Sequence, residues 1–360
     1  MTRAPVASRR LEFLDQLRAA AILLVLVSHF GLAIDGSFGA FENRTINFGS
    51  IGVFIFFCVS GYVIPWSMRG QRAGEFMTAR SFWIRRVLRL YPIYFVAALV
   101  GMLWLGSPAV KVAITQAYEA NPVAYLTMFA TMTTHWRDVP VVFDGLEWTL
   151  AYEMVFYAAC TVFLVAQRAL RRRWAVVGLI VALCTLTLAP DLLHTNNDVQ
   201  KFCFMYLFFA FGLLFFLKST GFITTRLFGT LALLVVATMT ARNALWYAYW
   251  GVNYMTFAFA PAIFVFYALA SGRVVVVSKV FSMIGTASYS TYLTHIYVPH
   301  ALPLATYPWL LRFCVWFVIA LAISVPLYLY VELPFIKAGR TLPKGRALPE
   351  GSASGEIGRK

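Results

Sequence analysis

The stretch that decides the fold runs from Leu11 to Phe30 and reads LEFLDQLRAAAILLVLVSHF. Residues 17–35, which begin inside it, form an apolar run close to the roughly 20 residues that a helix needs to cross the hydrocarbon of a bilayer. Nine further runs of this kind follow, at 49–67, 83–105, 147–167, 174–190, 201–217, 227–242, 251–270, 281–300 and 309–331. The sequence therefore predicts an all-α polytopic membrane protein with about ten transmembrane helices.

The composition favours a membrane protein over every soluble class. Apolar residues make up 61% of the 360 residues and charged residues 12%, whereas soluble domains have about 45–50% and about 25%. So few charges cannot cover a water-exposed surface, which excludes a soluble enzyme, a disordered chain and a secreted disulfide scaffold. The five cysteines lie in apolar runs, and no CxxC or His/Cys cluster is present. We therefore expect neither a disulfide framework nor a metal site.

The net charge of +15, from 30 Lys and Arg against 15 Asp and Glu, has two explanations. It is typical of nucleic-acid binding, but the cytoplasmic loops of membrane proteins also collect Lys and Arg. With the N-terminus inside, the inner loops and span ends carry 24 of these residues and the outer ones carry 6. The asymmetry predicts that both termini are cytoplasmic, in a plasma (bacterial inner) membrane, and argues against a nucleic-acid partner.

This topology divides the chain into three segments. Residues 1–16 form a cytoplasmic N-terminal segment, and residues 17–335 form the transmembrane domain. Residues 336–360 are rich in Gly, Ser, Pro and charge, so we expect a disordered cytoplasmic tail. The apolar segment 122–134 is too short to span, which places it at the outer interface or in a re-entrant piece.

Ionisable residues at bilayer depth are costly and are therefore functional candidates. His29 lies about 16 Å along the helix from Arg18, and Glu153 lies about 9 Å beyond Glu147, at 1.5 Å per residue. The ninth predicted span places His295 at a similar depth in the outer half of the membrane. We therefore expect a shared polar cavity, in which histidine and a carboxylate could deprotonate a hydroxyl. The alternatives are packing histidines and a structural ion pair.

Arginines cluster where the third predicted span begins, in the sequence ARSFWIRRVLRLYPIY. Arg85 and Arg89 are one helical turn apart and therefore share a face of the predicted helix. Together with Arg86 they could clamp a phosphorylated cytoplasmic ligand, because guanidinium groups bind phosphates bidentately. The alternative is positive-inside anchoring beside an aromatic belt.

Two further pairs of residues are candidates for supporting roles. Asp15 and Arg18 are three apart and can form an ion pair near the inner surface. Ser60 and Gly61 lie in GSIGVFIFFCVSGYVIPW, where small residues allow helices to approach closely. Packing is the default interpretation of this stretch, and lining a substrate passage is the alternative.

Six motifs in this order resemble the membrane-bound acyltransferase 3 family, from about residue 10 to residue 334. They are LDQLR at 14–18 followed by Ser28-His29, FFCVSGY at 56–62, RRVLRLYP at 85–92, WTLAYE at 148–153, SYSTYLTH at 288–295 and ELP at 332–334. Three positions depart from the family pattern, since Gln16 replaces a common Gly, Thr149 a common Ser and Met154 the second acid of a frequent Glu pair. The Met154 change disfavours a mechanism that needs two carboxylates there.

The resemblance implies a stand-alone membrane domain that moves an acyl group, most often acetyl, from cytoplasmic acyl-CoA to a hydroxyl of a glycan or other acceptor. His29 would be the general base or a transient acyl carrier, Glu153 would orient or charge-balance it, and His295 would relay the proton or stabilise the oxyanion. The resemblance implies that Arg85, Arg86 and Arg89 bind the phosphates of the donor. Supporting roles would fall to Asp15, Arg18, Ser60, Gly61 and Tyr289.

The acceptor could be an exopolysaccharide or lipopolysaccharide, with membrane lipid and the envelope polysaccharide machinery as partners. Acylation of a small molecule such as a macrolide, or of a lipid, is an alternative within the same activity. Two alternatives are not acyltransferases: the chain could transport a lipid-linked sugar or anionic metabolite, or it could serve as a non-catalytic assembly factor for an envelope synthase.

Overall fold

The computed structural model describes residues 6–69, 76–105, 108–134, 146–166, 173–193, 197–250, 254–274 and 278–342. Within these ranges the regular structure is helical, apart from one isolated antiparallel bridge between Arg69 and Phe76. The helices are α1 (Val6–Ile34), α2 (Gly36–Arg44), α3 (Phe48–Ser67), α4 (Ala79–Val100, continued by a π-helical turn, Gly101–Leu105), α5 (Pro108–Ala120), α6 (Pro122–Thr131), α7 (Glu147–Val165), α8 (Arg173–Leu193), α9 (Asn197–Ser219), α10 (Thr225–Trp250), α11 (Tyr254–Ala270), α12 (Lys279–Thr286), α13 (Ser288–Thr294), α14 (Tyr297–Ala301), α15 (Trp309–Leu327, continued by a π-helical turn, Tyr328–Glu332) and α16 (Leu333–Thr341).

The predicted all-α polytopic membrane fold is confirmed. Seven helical stretches among the described residues are long and apolar enough to cross a membrane, namely Glu12–Ile34, Phe48–Ser67, Ala79–Leu103, Glu147–Val165, Phe202–Ser219, Thr225–Leu245 and Trp309–Thr341. The predicted spans 174–190 and 251–270 correspond to shorter apolar stretches, Arg173–Ala189 and Ala258–Ala270. Helix α16 ends at Thr341, beyond the predicted start of the tail at residue 336, and residues 343–360 lie outside the described ranges.

The ninth predicted span, 281–300, is wrong as a single helix. The chain forms three short helices there, α12 to α14, and His295 lies at the break between α13 and α14. Pro299 has no backbone N–H, so it cannot donate to the His295 carbonyl four residues earlier. The N–H of Val298 donates to that carbonyl instead, at 3.1 Å. Such irregular backbone is tolerated at membrane depth where it is buried inside the protein, as this segment is.

Helix α3 is central and packs against α1, α9 and α11. Its contact with α9 depends on two glycines, because a Cβ atom on Gly61 would collide with the carbonyl of Phe209, and one on Gly212 with the carbonyl of Cys58. The backbones therefore approach each other more closely than larger residues would allow. The geometry favours packing for Gly61 over the alternative of lining a passage.

Candidate active site

A pocket opens between α1, α3, α4, α7 and α13, and its lining contains both polar and apolar side chains. The polar lining comprises Arg18, Ser60, Arg86, Arg89, Thr149, Glu153, Ser288, Tyr289 and Tyr292. The apolar lining comprises Val53, Phe56, Phe57, Val59, Val63, Ile64, Leu90 and Leu150. We call this site the arginine pocket. It brings together six of the residues selected from the sequence, namely Arg18, Ser60, Arg86, Arg89, Glu153 and Tyr289.

Glu153 is held by two hydroxyl groups at the edge of this pocket. The Tyr157 hydroxyl donates to its Oε1 at 2.5 Å, and the Ser60 hydroxyl donates to the same oxygen at 3.4 Å. Tyr157 lies one helical turn after Glu153 on α7, which is the spacing that brings side chains together on one face. The sequence analysis did not select Tyr157, although it is buried and its aromatic ring also contacts the arginines' helix, α4, at Phe82.

Arg86 is buried among aromatic rings and reaches a neighbouring helix. Its guanidinium carbon lies 5.3 Å from the centroid of the Phe82 ring and 5.4 Å from that of Tyr157, within the range of cation–π attraction. One terminal nitrogen donates to the hydroxyl of Ser67 at the end of α3. Its Nε is buried without a hydrogen-bond partner among the described residues. Tyr157 therefore contacts both the positive Arg86 and the negative Glu153.

Arg89 and Arg18 share a buried carboxylate that the sequence analysis did not select as a site residue. Glu332, in the π-helical turn after α15, is 1% exposed and accepts a hydrogen bond from the Ser290 hydroxyl at 2.8 Å. It interacts electrostatically with both arginines. Arg18 also forms the ion pair with Asp15 that its spacing predicts, at 2.9 Å. A carboxylate at the end of the last span is a sequence signal that could have identified Glu332.

Arg85 is separated from the other two arginines. Its Nη2 donates to the backbone carbonyl of Leu342 at 2.5 Å, after α16, and it does not line the arginine pocket among the described residues. The prediction paired Arg85 with Arg89 on one face of the helix. The contact with Leu342 instead turns Arg85 away, and Arg86 and Arg89 line the pocket from α4.

His29 and His295 form a second site, which we call the histidine pair. Their ring centroids lie 4.9 Å apart with the planes at 80°. His295 is fully buried, and its Nδ1 lies 3.1 Å from the carbonyl of Thr291 and 2.9 Å from that of Tyr292. Two acceptors at this nitrogen require a donor, so we assign the proton of the neutral ring to Nδ1. Nε2 is then an acceptor, and it has no hydrogen-bond partner among the described residues.

The structure does not bring Glu153 into a common cavity with the two histidines. Glu153 faces Arg86 and Tyr157, and neither histidine lines the arginine pocket in the part of the chain that is described. Tyr292 touches both sites, because it lines the pocket and its ring centroid lies 6.0 Å from that of His295. Within the described ranges, no group of three or more His, Cys, Asp or Glu side chains could hold a metal ion.

A carboxylate that no sequence pattern indicated lies next to the histidine side. Glu42 in α2 is 3% exposed and accepts hydrogen bonds from the Ser28 hydroxyl at 2.8 Å and from the Phe48 N–H at 3.0 Å. Ser28 directly precedes His29. Burial raises the pKa of the Glu42 carboxyl above its usual value, although the two hydrogen bonds act in the opposite direction.

Comparisons with known proteins identify relatives of this chain, two of which are named as acyltransferases. Acyltransferase MdmB of Streptomyces mycarofaciens is 28% identical over 46% of this chain and 42% of that protein. The putative peptidoglycan O-acetyltransferase YrhL of Bacillus subtilis is 26% identical over 54% of this chain and 30% of that protein. The regulator of hypoxia-inducible factor 1 of Caenorhabditis elegans is 27% identical over 44% of this chain and 34% of that protein. The chain spans less than half the length of each of these relatives, and no solved structure matches it.

The match to a family model decides the assignment. The acyltransferase domain model matches residues 11–329, which include most of α1, all of α2 to α15, and therefore both the arginine pocket and the histidine pair. Five of the six motifs quoted from the sequence lie within this range, and the ELP at 332–334 follows it. This chain therefore belongs to the acyltransferase 3 family.

Proposed function

We propose that this protein transfers a short acyl group, in the simplest case acetyl, from acyl-CoA to a hydroxyl of an exopolysaccharide, lipopolysaccharide or related glycan. The observation that carries the proposal is the adjacency of two sites, a pocket lined by arginines and, beyond Tyr292, a histidine pair of which His295 is buried. One site suits an anionic, partly apolar donor, and the other suits removal of a hydroxyl proton. The family match supports the same reaction.

The arginine pocket would bind the donor. Arg86 and Arg89 would contact phosphate, because guanidinium groups bind phosphate oxygens through charge-assisted hydrogen bonds. The apolar lining, most of which comes from α3, would accept the thioester arm and its acyl group. Glu153 would orient Arg86 through their shared contact with Tyr157, in place of the role beside His29 that the resemblance implied. Arg85 would contribute to binding only from outside the pocket.

The histidine pair would perform the proton transfer. The acceptor oxygen attacks the thioester carbonyl carbon, a new C–O bond forms, and the C–S bond breaks. His29 would take the hydroxyl proton as general base, and that proton would then pass to the departing thiolate of CoA. A transient acyl-histidine, resolved by the same hydroxyl, is the alternative route. His295, whose Nδ1 is fixed by two carbonyls, would hold the ring of His29 and relay the proton.

The nature of the acceptor is the part of the proposal that depends most on the relatives. The putative peptidoglycan O-acetyltransferase YrhL carries a glycan in its name, and this favours a glycan here over a macrolide or a lipid. The positive-inside distribution of Lys and Arg supports a plasma membrane location with both termini cytoplasmic. This orientation would place the arginine cluster on the side where acyl-CoA is found.

The test compares surface glycans by mass spectrometry in cells that lack the protein and in cells complemented with wild type or His29→Ala. We expect O-acyl groups with wild type only. The matched control is His300→Ala, since His300 is exposed and lies outside both sites. Purified protein should also consume acetyl-CoA only when an acceptor is present, which a transporter or an assembly factor would not do. Full acylation by His29→Ala would overturn the proposal.

A further inference from the structure

Tyr292 stands between the arginine pocket and the histidine pair, and a hydrogen bond holds it there. It is 7% exposed, and its hydroxyl lies 2.8 Å from the hydroxyl of Thr149 on α7. Both hydroxyls can donate to the Leu146 carbonyl, which lies 3.0 Å from Thr149 Oγ1 and 3.4 Å from the Tyr292 hydroxyl. The shorter of these two bonds uses the one hydrogen of Thr149, so we assign Tyr292 as the donor to Thr149. Helices α7 and α13 are therefore joined at the side of the pocket that adjoins His295.

Aromatic rings complete this side of the pocket. The Phe56 ring from α3 meets the Tyr292 ring edge to face with their centroids 6.3 Å apart. On its other side the Tyr292 ring lies 6.0 Å from His295, which in turn contacts His29. These contacts connect the pocket to His29 through Tyr292 and His295. The hydrogen bond from the Thr149 hydroxyl to the Leu146 carbonyl holds that hydroxyl in place as an acceptor for Tyr292.

We propose that Tyr292 and Thr149 form a partition that admits short acyl groups to the histidine pair and keeps water from the thioester until an acceptor is bound. The inference rests on the proposed acyl transfer and adds the residues that set its donor specificity. The Tyr292 ring, packed against Phe56, supplies the apolar surface of this partition, and an apolar contact discriminates between donors by about 10–200-fold for each methylene group that it excludes. The partition also limits the side reaction, in which water attacks the thioester carbonyl, the C–S bond breaks, and a free acid and a thiol are released.

The first experiment measures kcat/KM for acyl transfer from acetyl-CoA, butyryl-CoA and hexanoyl-CoA. We expect wild type to prefer acetyl-CoA. Tyr292→Ala should raise the ratio of butyryl to acetyl transfer by about tenfold or more, because the apolar surface that excludes the extra methylene groups is lost. Tyr292→Phe keeps the ring and should keep the preference. Equal losses for all donors in Tyr292→Ala would indicate a merely structural role and overturn the partition.

The second experiment uses two substitutions that preserve shape and remove the hydrogen bond, Tyr292→Phe and Thr149→Val. Each should raise acyl-CoA hydrolysis in the absence of acceptor by severalfold, and the double variant should match the single variants, because all three lack the same bond. Thr149→Ser keeps the hydroxyl and should hydrolyse like wild type. Thermal midpoints of the purified variants show whether each one is folded.

The outcomes separate the partition from the proposed function. If wild type transfers acetyl groups, two results would overturn the partition alone. One is that the effects of Tyr292→Phe and Thr149→Val on hydrolysis are additive, and the other is that neither variant hydrolyses acyl-CoA faster than wild type. Wild type that transfers no acyl group from any donor would overturn the proposed function and the partition with it.

Discussion

The arginine pocket and the histidine pair both touch Tyr292, yet they hold their polar groups in opposite ways. In the pocket, charge is balanced by charge, since Arg89 faces Glu332 and Arg86 shares Tyr157 with Glu153. In the pair, His295 is held by two backbone carbonyls. Paired charges at membrane depth can bind a charged ligand, whereas a neutral imidazole can accept a proton. The difference predicts separate kinetic effects for the two sites.

The largest effect should come from the histidine pair. His295→Gln keeps a polar side chain but cannot relay a proton, so we expect kcat to fall by about 10²–10⁴-fold. The KM for acyl-CoA should stay near the wild-type value, because the pocket is intact. Steady-state kinetics with purified protein measures both parameters, and His300→Gln is the control at an exposed position. A rise in donor KM with unchanged kcat would contradict the division between the sites.

The next largest effect should come from Arg89→Gln in the pocket. A charge-assisted hydrogen bond contributes about 1.5–3 kcal/mol, so its loss should raise the donor KM by about 10–150-fold. The substitution also leaves Glu332 with less compensation, which should lower the thermal midpoint. Adding Glu332→Gln should restore the midpoint but not the KM.

Arg85→Gln is the matched control for this prediction, because Arg85 contacts Leu342 outside the pocket. An equal rise in donor KM for Arg85→Gln and Arg89→Gln would show that the arginines act through general positive charge. A donor KM restored by Glu332→Gln would assign Arg89 a structural role only.

Tyr157→Phe should have a smaller effect on the same pocket. The ring that contacts Arg86 remains, while the 2.5 Å hydrogen bond to Glu153 is lost and the longer one from Ser60 is kept. We expect the donor KM to rise by about tenfold, which corresponds to about 1.4 kcal/mol. Isothermal titration of the purified variant with CoA provides an independent measurement. A variant that binds CoA like wild type would show that Glu153 does not orient Arg86.

The sequence could predict the content of the two sites better than their arrangement. Arg18, Arg89 and Glu153 stand out because a charge at bilayer depth is costly and persists where the protein uses or pairs it. The apolar runs reveal the spans because no water is present there to hydrate an exposed backbone. These are local properties, and each can be read from one stretch of the chain.

The arrangement depends on contacts between distant segments. The periodicity of α4 could not show that Leu342 turns Arg85 away from the pocket while Ser67 and Tyr157 hold Arg86 in it. Depth alone placed Glu153 beside the histidines, but in the structure it contacts Tyr157 and Ser60 and lines the pocket with the arginines. The break at His295 follows from Pro299, which is a local signal that an apolar run of twenty residues conceals.

The smallest effect that we predict concerns Glu42, the buried carboxylate beside Ser28 on the histidine side. Its pKa in the folded protein is raised above 4.5, mainly by burial. As the pH rises above 4.5 the unfolded state ionises first, so the free energy of unfolding falls until the folded carboxyl has also ionised, and it stays lower at higher pH. Below 4.5 both states are protonated and no such loss occurs.

Glu42→Gln should remove this dependence. The thermal midpoint of wild type relative to the variant should therefore decrease between pH 4.5 and pH 7.5, in one detergent and at one ionic strength. Glu119→Gln is the control, because it makes the same substitution at an exposed position on α5. If wild type and Glu42→Gln had the same slope, ionisation of Glu42 would be equally favourable in both states. The hydrogen bonds from Ser28 and Phe48 would then offset the energetic cost of burying the ionised Glu42 carboxylate. The histidine side would in that case stabilise a buried charge, as the arginine pocket does.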